Sequence, residues 1–159
     1  MRLLIAAVGR LKAGPERELW ARYLERAGQT GRGVALGPIE IAELAESRER
    51  RPEDRRREET AALIAACPPG YRRVVLDEGG QALSSRAFAD WLDRRRTEAA
   101  GLAFLVGGAD GLDRNVAGDA AMVLAFGAMT WPHQLARIML AEQLYRAATL
   151  IAGHPYHRA

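Results

Sequence analysis

The chain has 159 residues, 48% hydrophobic and 27% charged, the balance of about one globular domain and not of a disordered chain. Its one cysteine, Cys67, excludes a disulfide framework and a multi-cysteine zinc site, and no apolar run reaches the roughly 18 residues of a membrane span. Twenty-three basic residues against 20 acidic ones leave a net charge of +3; that margin alone does not argue for a polyanion partner, although every basic residue but Lys12 is arginine, the better phosphate binder.

Arg2 to Val8 reads as a buried first strand. Its apolar run is too short for a signal peptide, so a cytoplasmic protein is expected. After a turn over Gly9–Pro15, Leu19, Trp20, Tyr23 and Leu24 form one face of a helix from Glu16 to Ala27. Gly28, Gly31 and Gly33 are expected to end it. Val34 to Ile41 reads as a second strand, and Gly37-Pro38 marks it as an edge or irregular one. The mixed charges of Glu43–Glu59 read as a solvated loop leading into an exposed helix, with Pro52 in its first turn and its end near Cys67.

Tyr71 to Leu76 is a third strand, with a turn expected over Asp77-Glu78-Gly79-Gly80. Ser84 or Ser85 caps a helix reaching about Ala100. Gly101 to Val106 is a strongly apolar fourth strand. A glycine-rich turn, Gly107 to Gly111, leads to a short helix over Asp113–Ala120 and a fifth strand over Ala121–Phe126. The loop Gly127–Pro132 precedes a final helix from His133 to Ile151. Strands alternate with helices throughout, so the expected fold is α/β, a mostly parallel sheet flanked by helices, in a single domain over 1–159. The last helix is apolar around most of its circumference. That pattern points to burial on more than one side, either against a second subunit in a homodimer or within the monomer.

In parallel sheets, ligands bind outside the carboxyl ends of the strands. Three glycine-bearing turns lie at such ends: Leu76–Gly80, Gly107–Gly111 and Gly127–Pro132. The turn after the first strand, Gly9-Arg10-Leu11, is not a G-x-G, and the chain has no phosphate-binding loop. The pocket is therefore expected late in the chain. Neither Cys67 nor a serine sits in a nucleophile pattern, and the three histidines lack metal-ligand spacing. The C-terminal segment from Trp131 carries all three of them, with Arg137, Arg146 and Arg158 against the single acid Glu142. Tyr156 and His157 suit stacking on bases, and Arg158 suits a phosphate.

These residues identify a resemblance. Val75-Leu76-Asp77-Glu78-Gly79-Gly80, Phe104 to Leu112, Met129-Thr130-Trp131-Pro132-His133-Gln134, Leu144-Tyr145-Arg146-Ala147 and His154-Pro155-Tyr156-His157-Arg158 resemble the ribosomal RNA large subunit methyltransferase H family of the SPOUT superfamily. Ala7-Val8-Gly9-Arg10-Leu11-Lys12 also fits, and the resemblance spans the chain. It implies a SPOUT fold with a C-terminal trefoil knot and a homodimer binding S-adenosylmethionine in the knot. It also implies methylation of N3 of a pseudouridine, position 1915 of 23S ribosomal RNA, on the assembled 70S ribosome, with no metal and no membrane. Carried over by position, Leu76, Gly107, Gly108, Phe126, Gly127, Ala128, Met129, Thr130 and Trp131 would line the cofactor site. The chain departs from the commoner family pattern at Ala109-Asp110 and Gly127-Ala128.

Catalysis would then be mainly positioning. Arg146 would stabilise negative charge on the base carbonyls, Tyr156 would orient the base, and His157 would take its proton. His133, Arg137, His154 and Arg158 would meet the RNA; Arg137 could instead pair across the dimer. A related methyltransferase with another RNA target and a non-catalytic ribosome-binding module are the alternative functions.

Overall fold

The computed structural model describes residues 1–156. Five strands, β1 (Arg2–Val8), β2 (Ile39–Leu44), β3 (Tyr71–Ala82), β4 (Gly101–Val106) and β5 (Met122–Ala125), form one sheet in the order β2-β1-β4-β3-β5. Every pairing is parallel. The helices are α1 (Pro15–Arg32), α2 (Pro52–Ala65), α3 (Ser85–Arg95) and α4 (His133–Ile151), with a 3-10 turn over Arg114–Asp119.

β1 and β4, neighbours inside the sheet, are almost wholly apolar. Leu3–Val8 and all of β4 are buried, because helices cover both faces of the sheet. On one face Leu3, Ile5, Leu102 and Phe104 meet Phe88 and Leu92 of α3 and Leu140 and Leu144 of α4. On the other, Leu4, Ala6, Val75 and Leu105 meet Leu63 of α2 and Val116 of the 3-10 turn.

Four boundaries differ from the sequence pattern. β2 begins after Pro38, which lacks the N–H a ladder needs, and it is the edge strand expected. α1 runs through Gly28 and Gly31 to Arg32. Two helical glycines cost about 1 kcal/mol each; packing of α1 along α4 offsets this. A Cβ at Gly31 would stand 2.1 Å from the carbonyl oxygen of Leu36, so glycine there serves the close return of the chain. β3 continues past Leu76 to Ala82, and the expected turn is a bulge in which Leu76 and Gln81 both face Leu124 of β5. Asp77 Oδ1 accepts from the Gly79 amide at 2.8 Å, so a turn-like bond forms inside the strand. α3 is capped by Ser84, whose Oγ accepts from the Ala87 amide at 3.1 Å, but it ends at Arg95.

α4 has the bounds that the sequence predicts. It lies between α1 and α3 and over β4, so its wide apolar circumference is largely used within one chain. Its first turns are the exception. Leu135, with Met129 and Trp131 just before the helix, stays exposed.

Candidate active site

The carboxyl ends of β4 and β5, with the bulge that follows Leu76 in β3, open into a cavity of about 1160 Å³. Leu76, Gly107, Gly108, Phe126, Gly127, Met129, Thr130 and Trp131 line it. Ala128 is exposed and does not line it. The wall opposite the strand ends comes from α2 and the 3-10 turn, through Glu53, Arg56, Arg57, Arg114 and Asn115.

The glycines are required by close approach. A Cβ on Gly107 would lie 2.9 Å from the carbonyl carbon of Gly111, and one on Gly108 3.0 Å from both Glu59 Oε2 and Val8 Cγ1. Both contacts are with the chain itself, so glycine serves the tight packing of this turn, and its backbone lines the cavity. The 126–131 loop folds over through two bonds. Trp131 Nε1 donates to the Phe126 carbonyl at 3.1 Å, and Thr130 Oγ1 donates to Glu78 Oε2 at 2.5 Å. Leu76, Phe126 and Met129 supply apolar surface, and Met129 is 74% exposed.

His133 opens α4 and lines the cavity. Arg137, one turn further, does not. It is 1% exposed, and its guanidinium donates to the carbonyls of Val8 and Gly9 and to Glu43 Oε2, each at 3.0 Å. Its cation also lies 5.4 Å from the Trp20 ring. Burial pushes its pKa down, opposed by Glu43. The RNA role expected of Arg137 is corrected accordingly: every bond it makes is internal, and it cannot reach a ligand without vacating them.

Arg146 and Tyr156 form a second cluster. Glu142 Oε1 receives Arg146 Nη2 at 2.7 Å, Arg146 Nε at 3.0 Å and the Tyr156 hydroxyl at 3.3 Å. The guanidinium stands 5.1 Å from the Tyr156 ring, which packs on Tyr145 at 4.4 Å. The Glu142 hydrogen bond raises the pKa of Arg146. Burial, with the Glu142 charge behind it, raises the Tyr156 phenol to about 12. Tyr156 is therefore a neutral donor at ordinary pH. His154 is exposed, its amide donating to the Thr149 carbonyl at 2.9 Å. His157 and Arg158 lie outside the described residues.

The cavity and this cluster are not brought together within one chain. Arg146 stands 13 residues after His133 on α4, about 20 Å at 1.5 Å per residue. Sequence reasoning left Glu142 without a role, though its i, i+4 spacing to Arg146 is a readable signal. It missed Glu59 and the pairing of Arg55 with Asp110, for which a single sequence gives no sign.

A family model described as "Predicted SPOUT methyltransferase" matches residues 1–157. The chain belongs to the SPOUT methyltransferase family. Proteins named "Ribosomal RNA large subunit methyltransferase H" from Xanthobacter autotrophicus and Rhodopseudomonas palustris are each 53% identical to it, with all of both chains covered. The protein of that name from Beijerinckia indica is 52% identical over the same full span. The parallel sheet with helices on both faces agrees with a SPOUT methyltransferase, whose cavity here lies at the carboxyl ends of the strands.

Proposed function

We propose that this chain transfers a methyl group from S-adenosylmethionine to large-subunit ribosomal RNA, at N3 of the pseudouridine at position 1915 of 23S RNA in the assembled 70S ribosome. The observation that carries this reading is the glycine-walled cavity at the ends of β4 and β5 and the bulge of β3, in a chain whose SPOUT match covers residues 1–157. The names of the full-length relatives support the RNA substrate.

The residues present fit the cofactor. Gly107 and Gly108 bring no side chain to the cavity wall, so backbone amides and carbonyls there can meet its polar groups. Leu76, Phe126 and Met129 offer apolar cover for an adenine ring. When bound, the cofactor supplies a methyl group already activated as a sulfonium. The chain then has to hold the base nitrogen in line with it and provide for the imide proton that leaves N3. Arg146, oriented by two bonds from Glu142, suits negative charge developing on the ring carbonyls. Tyr156 acts as donor and stacking partner. His157 is the proposed base, imidazole being the side chain whose unperturbed form changes charge nearest neutral pH.

Because Arg146, with Tyr156 packed beside it, stands about 20 Å along α4 from His133 at the cavity, a second copy completes the site. The exposed apolar residues Met129, Trp131 and Leu135 beside the cavity support a homodimer through this end of α4. His133, and beyond the described residues Arg158, would meet the RNA with the exposed His154. The trefoil knot belongs to the same reading. Its support is the SPOUT family match over residues 1–157.

The deciding experiment follows a labelled methyl group from the cofactor into 70S ribosomes, free subunits and naked 23S RNA, with the modified base mapped. Transfer to 70S ribosomes alone, at that pseudouridine, is expected. Transfer to another base would replace the target. Absence of cofactor binding would make the chain a non-catalytic ribosome-binding module.

A further inference from the structure

The Gly107–Asp113 segment that walls the cavity has little internal bonding. Its own closure is the Gly111 amide on the Gly108 carbonyl at 3.1 Å. What fixes it comes from α2. Arg55, Glu59 and Thr60 stand at i, i+4 and i+5 on one face of that helix and reach three successive points of the segment.

Arg55 grips Asp110 with two bonds, Nε to Oδ2 at 2.6 Å and Nη2 to Oδ1 at 3.2 Å. Its Nη1 donates to the carbonyls of Glu49 and Arg50 at 3.0 and 2.9 Å, so the guanidinium joins the loop before α2 to the cavity wall. Thr60, 4% exposed, accepts the Asp113 amide on Oγ1 at 2.9 Å. Glu59, 5% exposed, accepts the Ser47 amide on Oε1 at 2.9 Å. Its buried Oε2 has no hydrogen-bond partner among the described residues and lies against Gly108.

We propose that α2 clamps the cavity wall through these three residues, and that Arg55 is a positioning residue for the cofactor, acting through Asp110. The proposal rests on the cofactor reading above. Its physical basis is that a planar guanidinium fixes a carboxylate in both distance and orientation, where a single ammonium fixes distance only. The bond to Asp110 raises the pKa of Arg55, and the same bond lowers that of Asp110, so the pair stays charged across ordinary pH. Without Arg55, Asp110 would stand in the cavity wall as an unanchored charge on a loop with one internal closure.

The test is a double-mutant cycle on the full chain, reading dissociation constants for S-adenosylmethionine and S-adenosylhomocysteine by calorimetry. R55Q and D110N are each expected to weaken binding of both by about tenfold. The pair together should lose no more than either alone, since both remove one contact. R55K should fall between wild type and R55Q. Amide exchange across residues 107–113 should quicken in R55Q with no ligand present, which a loss of ligand contact alone would not produce. D110N, nearly isosteric, keeps the test open if R55Q folds poorly. Unchanged affinity in both single variants, or strictly additive losses, would overturn the clamp. Failure of the wild-type chain to bind either ligand would instead overturn the cofactor reading, and the proposal would fall with it.

Discussion

The guanidinium of Arg137 closes on the carbonyl oxygen of Val8, the last residue of β1, at 3.0 Å. The residue that sequence reasoning assigned to RNA is a tie between α4 and the central strand, shared with Gly9 and Glu43. Removing one side of a buried, hydrogen-bonded charge pair costs about 3–5 kcal/mol. R137A is expected to lose about 3 kcal/mol, the lower end, because Glu43 is 25% exposed and can rehydrate. At about 2–4 °C per kcal/mol for a chain of this size, Tm should fall by roughly 6–12 °C. Thermal unfolding checks this. Weakened ribosome binding at unchanged Tm would return Arg137 to the RNA.

Gly107 carries the cofactor prediction most directly. In G107A the new methyl meets backbone of Gly111 at 2.9 Å, not a side chain that can swing away. Forcing such a contact costs about 1–3 kcal/mol. That cost falls on the folded chain with or without ligand, so Tm should fall, and the shift of the wall that relieves it should weaken cofactor binding by about tenfold or more. G118A, in the 3-10 turn, meets nothing within 4 Å and should leave affinity unchanged. Calorimetric titration of both variants decides the point.

How far the sequence could be read follows from the range of each interaction. β1 and β4 are legible because a strand buried on both faces is an unbroken apolar run, and α4 because Pro132 and Gly153 bracket it. The bulge in β3 is not legible, since Asp77-Glu78-Gly79-Gly80 has turn chemistry whichever way the strand goes; pairing with β5 decides it. About half of the cavity lining was legible as glycine turns at strand ends. Arg55 and Asp110 are 55 residues apart and Arg137 and Val8 are 129 apart, so neither partner leaves a local pattern. Glu142 and Arg146 are the contrary case, four apart on one helix.

Tyr156 should give the protein an alkaline signature. Its phenol is raised from the ordinary 10 to about 12, first by burial and then by Glu142. In the window between those values the unfolded chain has released the proton and the folded chain still binds it. Stability therefore contains a Tyr156 contribution that is complete below about pH 10 and is lost as pH rises through about 12. Ultraviolet titration of the four tyrosines should show one late phase, absent in Y156F. If Y156F left the titration unchanged, the packing of Tyr156 on Tyr145 and Glu142 in solution would be wrong.

A homodimer makes a sharper prediction than its own existence. L135E places a charge on a side chain that is 41% exposed at the start of α4 and outside the cavity lining. It should yield a folded monomer by sedimentation, with methyl transfer lost because the cavity and the Arg146 cluster part company. Subunit mixing then separates a shared site from a merely adjacent one. R146A damages the cluster and G107A the cavity, so at a cofactor concentration well below the G107A dissociation constant each homodimer should be nearly inactive. In a mixed dimer, one site pairs the intact cavity of the R146A chain with the intact Arg146 of the G107A chain. Random exchange makes half the dimers mixed with one sound site of two, so activity should recover to about a quarter of wild type. No recovery on mixing, in chains shown to exchange, would place Arg146 in the site of its own chain.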